Sequence, residues 1–174
     1  MNKAIYAVVA VVVIIIIIAA VVLFVPGILP GPAPSPTPTP TPTSAPGVAV
    51  GDATSLTFNA NVTISGATTE YKWYGKNLHS TNETLRVDFA NYIYILDAGQ
   101  QKSWSSTDSG ATFTAGVFND DWVAWGPQWS TNVDNLTHWT SGDTYTFVDA
   151  TGATVLIFNV AVNPTIPDST FAVS

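Results

Sequence analysis

The chain has 174 residues, a formal net charge of −7 and no cysteine. All 12 acidic residues follow residue 48, where only four basic residues stand, so this part of the chain repels phosphate backbones and we expect no nucleic-acid partner. The absence of cysteine excludes disulfides, thiolate metal sites and covalent haem attachment. The two histidines, His79 and His138, have no metal-ligand spacing, so we expect neither a metal site nor a cofactor.

An apolar run of 22 residues without any charge occupies residues 4–25. A helix of that length is about 33 Å long, which is enough to cross the hydrocarbon core of a bilayer. Lys3 is the only charged residue before the run and the next basic residue is Lys72, so the positive-inside rule places residues 1–3 in the cytoplasm. We therefore predict a single-pass signal anchor in the cell membrane, with the membrane as a partner through residues 4–25 and an extracellular C-terminal domain.

Two alternatives to an anchor stay open. A cleaved signal peptide has an apolar core of about 7–15 residues and a small-x-small cleavage site, whereas this run is longer and is followed by Pro26-Gly27. A pilin-like N-terminus continues its apolar helix into an amphipathic helix, whereas Pro26 and the prolines after it stop a helix. Length and proline content both favour the anchor.

A proline-rich stretch follows the apolar run. Nine of the 12 prolines lie between Pro26 and Pro46, and threonine alternates with proline over much of this stretch. Such a composition is typical of polyproline II, a semi-rigid spacer. The predicted linker covers residues 26–47, and at roughly 3.1 Å per residue its twenty or so residues hold the domain up to about 60 Å from the membrane. It presents one domain over residues 48–174, which is long enough to bury a core.

Alternation of apolar and polar residues predicts strands in this domain. From Leu56 to Ser65 every second residue is apolar, which is typical of a strand with one buried and one solvated face. Similar patterns, separated by turn residues, recur along the chain. The predicted strands are 56–65, 69–78, 84–89, 92–96, 101–105, 145–148 and 154–162. An extended tail follows them.

A tryptophan-rich segment interrupts the strand pattern with helical spacing. Its aromatic residues lie four, three and four positions apart, at Phe118, Trp122, Trp125 and Trp129. Residues 119–121 are predicted to supply a cap and acid for the first turn, and Pro127 predicts a kink or two short helices, the second over 131–139. The fold class is therefore α+β and mainly β: an antiparallel curved sheet or incompletely closed barrel of about seven strands, covered by this helical segment.

The order of elements and several local phrases resemble a known superfamily. The phrases are Tyr-Lys-Trp-Tyr-Gly-Lys-Asn-Leu, Leu-Arg-Val-Asp-Phe, Tyr-Ile-Tyr-Ile-Leu-Asp, Gln-Gln-Lys-Ser-Trp and a closing Ile-Phe-Asn-Val-Ala-Val-Asn-Pro, within residues 56–171. This arrangement resembles the LolA/LolB-like lipoprotein-carrier superfamily, as represented by small archaeal membrane-anchored surface proteins. The resemblance implies an unclosed antiparallel barrel that wraps over helices and leaves an apolar cavity for acyl chains. The domain is shorter than a typical carrier.

The aromatic stripe of the helical segment is the candidate ligand site. Three interpretations stay open for it: a core under the sheet, the lining of a cavity for a lipid or other apolar ligand, or exposed rings that stack on sugars. The ligand-binding candidates are Phe118, Trp122, Trp125 and Trp129. No nucleophile elbow, phosphate loop or dinucleotide fingerprint is present, and the adjacent acids Asp120 and Asp121 suit a helix N-terminus, so we expect no catalytic residue and no enzyme.

Three sequons in the domain, at Asn61, Asn82 and Asn135, are candidate glycosylation sites, with chance occurrence in an Asn/Thr-rich sequence as the alternative. The overall expectation is a membrane-anchored cell-surface protein. It holds a lipid or other hydrophobic ligand in a cavity between sheet and helix. The alternative is a carbohydrate-binding or purely structural cell-envelope module.

Overall fold

The computed structural model describes residues 49–139 and 142–173. The predicted membrane helix over residues 4–25 and the predicted linker over residues 26–47 lie outside this range. Within the described residues, no helix combines the length and the apolar character that crossing a bilayer requires.

Eight strands and one α-helix make up the described part of the domain. The helix, α1, is Phe118–Asn135, and short 3-10 turns occur at Val50–Asp52, Leu136–His138 and Asp168–Phe171. The strands are β1 Ser55–Ile64, β2 Ala67–Lys76, β3 Thr84–Phe89, β4 Tyr92–Asp97, β5 Lys102–Ser106, β6 Thr114–Ala115, β7 Tyr145–Val148 and β8 Thr154–Val162. The prediction of a mainly β protein is confirmed.

The eight strands form one open antiparallel sheet in the order β6-β5-β4-β3-β2-β1-β8-β7. The first six strands form a meander, and β8 returns after α1 to pair with the free side of β1. β1 therefore lies inside the sheet, with β2 on one side and β8 on the other. The strand missing from the sequence prediction is β6, which has two residues and hence no period to detect.

The inner face of the sheet, defined by Leu56, Phe58 and Ala60 of β1, carries the core. All three side chains are buried, which confirms the predicted alternation over the first part of the strand, whereas Ile64 at its end is 44% exposed. The register continues the face across the sheet, because Phe58 pairs with Trp73 on β2 and Trp73 pairs with Val87 on β3. Helix α1 packs on this face through its tryptophans.

Helix α1 runs through Pro127 as one element of 18 residues, so of the two outcomes predicted at this proline, a kink or two short helices, the second is wrong. Proline removes a single backbone hydrogen bond here, and the packing of Trp125 and Trp129 on the sheet holds the turns on both sides of it. The predicted cap is also wrong. Val117 precedes the first turn without a side-chain cap bond, whereas the predicted acid in that turn is present in Asp120 and Asp121.

The outer face of the sheet is crossed by the C-terminal strap, which we define as residues 163–171. Ser55 Oγ donates to the Pro164 carbonyl (2.8 Å), Lys76 forms an ion pair with Asp168, and Arg86 donates to the Thr170 carbonyl (2.5 Å). The three sheet residues belong to β1, β2 and β3 in turn. The strap therefore runs across the strands, and its end is a 3-10 turn rather than extended chain as predicted.

Candidate functional site

The C-terminal half of the aromatic stripe packs against the sheet. Trp129 is 5% exposed, and its ring stacks on Phe58 with centroids 5.4 Å apart. Trp125 is half-buried, and its ring centroid lies 4.9 Å from that of Tyr94 and 5.4 Å from that of Phe89. These contacts give both tryptophans a structural role in the core. Their predicted role in ligand binding remains a prediction.

A glycine on β2 makes room for Trp129. A Cβ atom added to Gly75 would lie 2.5 Å from two atoms of the Trp129 ring, closer than any real side chain allows. Gly75 faces Leu56 on β1 and Leu85 on β3, both of them fully buried. The indole thus occupies the space that the missing side chain leaves in the inner face.

The N-terminal half of the stripe has different surroundings. Phe118 and Trp122 are both half-buried, and their ring centroids are 5.4 Å apart. Trp122 lines an open cleft of about 420 Å³, which we call the loop cleft. Its walls come from the β2–β3 loop, the β4–β5 turn and α1; the lining residues are Ser80, Thr81, Asn82, Glu83, Ala98, Gly99, Gln101 and Trp122.

Hydrogen bonds fix the backbone around the loop cleft. The Ala98 amide donates to the Glu83 carbonyl (2.9 Å), which joins the β4–β5 turn to the β2–β3 loop. Within the β2–β3 loop, the Asn82 amide donates to Ser80 Oγ (3.1 Å), and Ser80 Oγ donates to the Asn77 carbonyl (2.7 Å). These bonds hold the walls in place before any ligand arrives.

A close approach of Asn82 to Gly99 also joins the β2–β3 loop to the β4–β5 turn. A Cβ atom added to Gly99 would lie 2.6 Å from Asn82 Oδ1 and 3.2 Å from Asn82 Cα. Asn82 therefore lies directly over the backbone of Gly99. Only glycine leaves space for this contact at the present geometry.

The loop cleft combines polar groups with one large ring. Glu83 is half-buried, and burial raises the pKa of its carboxyl, an effect that the nearby charge of His79 opposes. Gln101 Nε2 donates to the Ala98 carbonyl (2.7 Å), so one side of this amide is already engaged. Carboxylate, amide and hydroxyl groups offer both donors and acceptors, and Trp122 offers an apolar surface.

Comparisons with known proteins leave the chain without a family. No protein-family model, no curated protein and no solved structure matches it. The function is therefore inferred from the loop cleft and the aromatic stripe.

The three sequon asparagines lie in three different kinds of structure. Asn61 is in the middle of β1, and Asn135 is the last residue of α1, where its Nδ2 donates to the Thr131 carbonyl (2.9 Å). Asn82 is exposed in the β2–β3 loop and lines the loop cleft. Of the residues singled out in the sequence, Asn82 and Trp122 are the two that the structure brings to one cleft.

One member of the acidic pair of α1 has a packing role. Asp121 accepts a hydrogen bond from the buried Ser103 Oγ (2.5 Å), which ties the first helical turn to β5. Asp120 is exposed. Among the residues that the structure describes, no group of three His, Asp or Glu side chains is placed to hold a metal ion.

Sequence patterns missed the other residues of the loop cleft. Glu83, Gly99 and Gln101 belong to connections without a period, so no spacing groups them. The signal that was available is the turn chemistry around residues 97–101, which predicts a tight hairpin but not its contact with the preceding loop.

Proposed function

We propose that the domain is a non-catalytic binding module that takes a neutral carbohydrate in the loop cleft. The observation that carries this proposal is the position of Trp122 beside the polar side chains of Asn82, Glu83 and Gln101. A sugar ring has a face of C–H groups and a rim of hydroxyls, so it needs one apolar surface and several donors and acceptors around it. Tryptophan supplies such a surface.

The size and charge of the site narrow the ligand. A volume of about 420 Å³ lies within the usual range for small-ligand sites, roughly 300–1,000 Å³. The chain carries a net charge of −7, and Glu83 adds a carboxyl inside the loop cleft. A negative field repels acidic sugars, so the proposed ligand class is neutral.

Presentation at the cell surface is part of the same proposal. The apolar run over residues 4–25 anchors the chain, and the proline-rich residues 26–47 hold the domain away from the membrane. A site formed by surface loops suits a module that meets ligands outside the cell. The basis for this part is the sequence pattern.

The test uses the full-length protein, produced in a host without N-glycosylation and held in detergent micelles, and a panel of neutral and acidic oligosaccharides, with binding followed by native mass spectrometry and calorimetry. We expect binding of neutral members of the panel, and a loss of at least tenfold in affinity for Trp122→Ala. Val123→Ala is the matched control, because Val123 is the next residue of α1 and is 73% exposed outside the loop cleft. Absence of binding across the panel, or equal binding by Trp122→Ala, would contradict the proposal.

A second candidate ligand is a lipid or other hydrophobic molecule held between α1 and the sheet. It is favoured by the half-buried rings beside Trp125, namely Tyr71, Phe89 and Tyr94, which continue an apolar wall past the helix. The resemblance to lipoprotein carriers points the same way. Native mass spectrometry of the protein from its own membrane, followed by organic extraction, tests it: a co-purifying lipid supports this ligand, and a lipid-free mass contradicts it.

A further inference from the structure

We propose that Asn82 carries an N-linked glycan whose first sugar occupies the loop cleft, so that glycosylation closes the binding site. This regulatory inference rests on the proposed function, because it concerns the same cleft. Contact between the glycan and Trp122, however, can be measured from the accessibility of Trp122, without any added ligand.

Secondary structure separates Asn82 from the other two sequons. An N-glycosylation acceptor is expected in a surface loop, where the chain is accessible to the transferring enzyme. Asn61 is inside β1, whose backbone pairs with strands on both sides, and Asn135 is inside α1 with its amide bonded to the helix. Asn82 is the sequon asparagine in a loop, and it is exposed.

The attachment residue belongs to the wall of the cleft, and its backbone is fixed there. The backbone of Asn82 is held by its amide, which donates to Ser80 Oγ, and by its carbonyl, which accepts from Asn77 Nδ2 (3.3 Å) and Thr84 Oγ1 (3.3 Å). The side chain leans over Gly99, and both residues line the loop cleft. A sugar attached to this amide is therefore linked to a residue of the cleft wall.

The remaining lining suits the sugar ring that would follow. Trp122 offers an apolar ring for the C–H groups of the sugar, while Glu83 and Gln101 offer an acceptor and an amide for its hydroxyls. A ligand joined covalently to the wall of its own site has a high effective concentration, in the millimolar range for a short flexible link. A seated glycan would thus compete with free sugars of ordinary affinity.

The modification is a group transfer from a lipid-linked sugar phosphate. The bond between Asn82 Nδ2 and the anomeric carbon of the sugar forms, and the bond between that carbon and the donor's phosphate oxygen breaks. One amide proton is released, and the lipid phosphate leaves. The donor and the transferring enzyme are supplied by the membrane in which the protein resides.

The experiment compares the full-length wild type with Thr84→Val and Thr84→Ser, all purified from the protein's own membrane. Thr84→Val destroys the sequon and also removes the hydrogen bond from Thr84 Oγ1 to the Asn82 carbonyl, whereas Thr84→Ser keeps both. Wild type produced in a host without N-glycosylation is therefore measured as well, since it lacks the glycan and keeps that hydrogen bond. Glycopeptide mass spectrometry reports occupancy at Asn82. Hydroxyl-radical footprinting reports how accessible Trp122 is, and thermal unfolding checks that each variant is folded.

We expect a glycan on Asn82 in the membrane-derived wild type and Thr84→Ser, with Trp122 oxidised several-fold more slowly than in Thr84→Val and in the wild type made without N-glycosylation. An unmodified Asn82 in the membrane-derived wild type, or equal oxidation of Trp122 in all four samples, would overturn the inference. Binding of the neutral sugar panel to Thr84→Val is measured separately. If the glycan protects Trp122 and Thr84→Val binds no free sugar, the result supports a glycan bound in the loop cleft and contradicts the proposed function.

Discussion

Two tryptophans of α1, two turns apart, lie in opposite surroundings. Trp129 fills the space over Gly75 and stacks on Phe58 in the core, whereas Trp122 borders the polar residues of the loop cleft. The same side chain on the same helix face is thus enclosed in the core in one place, and in the other packs against the core and also lines a cleft. The surroundings of each tryptophan depend on what lies across from it. Trp129 packs on residues inside the strands, whereas Trp122 lies beside loop and turn residues.

The largest expected effect comes from removing the buried member of the comparison. Trp129→Ala should destabilise the domain by about 3–5 kcal/mol, because truncating a buried aromatic loses transfer free energy and leaves a cavity. Trp122→Ala should cost clearly less, since its ring is half-buried. Chemical denaturation of both variants measures the difference. Equal losses in the free energy of unfolding would mean that the two tryptophans contribute equally to the core.

Gly75→Ala should cost about 1–3 kcal/mol, as overpacking does, because the new methyl group would overlap the Trp129 ring. The loss should be much smaller when alanine is introduced into a Trp129→Leu background, since the two changes share one space and are not additive. A double-mutant cycle from urea unfolding measures the coupling. Simple additivity would contradict the contact.

Gly99→Ala should act on the loop cleft instead of the core. The added methyl group displaces Asn82, so sugar binding should fall at least tenfold while the domain loses on the order of 1 kcal/mol, a typical single-substitution cost. Gly51→Ala is a suitable control, because a Cβ atom there meets nothing within 4 Å. Calorimetric titration measures the change in sugar affinity, and thermal unfolding measures the change in stability. Unchanged affinity in Gly99→Ala would mean that Asn82 does not contribute to the binding site.

The smallest effect concerns the pH dependence of stability. Burial raises the pKa of Glu83, so the folded state binds this proton more tightly than the unfolded state does. Stability should therefore fall as pH rises from the ordinary glutamate value through the raised one. Glu83→Gln should be slightly more stable than the wild type at pH 7 and lose that advantage below about pH 4. Melting temperatures across pH 3–8 measure it, and a constant difference would contradict the assignment.

Regular elements were predictable where one period ran without interruption. The bounds of β3, β7 and β8 agree with the prediction, because alternating residues are bounded by turn residues on both sides. β6 has no period, and α1 continues through Pro127 because its flanking tryptophans pack on the sheet. The latter is a tertiary effect that local propensity does not contain.

The candidate site was predictable only in part. Helical spacing identified Trp122, and the sequon identified Asn82, but nothing in either pattern connects them. The register of β3 with β4 brings the β2–β3 loop and the β4–β5 turn together at Glu83 and Ala98, and the packing of α1 on the sheet adds Trp122 to the same cleft. Long-range register of this kind is set by the assembled sheet.

The central position of β1 has a mechanical consequence. The chain before residue 49 continues into the sheet through this strand, which is hydrogen-bonded to β2 on one side and to β8 on the other. A pulling force applied from the N-terminal side would load two antiparallel ladders together rather than peel away one edge strand. The Thr54 amide, just before β1, also donates a hydrogen bond to Asn163 Oδ1 (2.7 Å), which further holds the chain where the force would be applied. The predicted linker would thus join the domain at a point that resists unravelling.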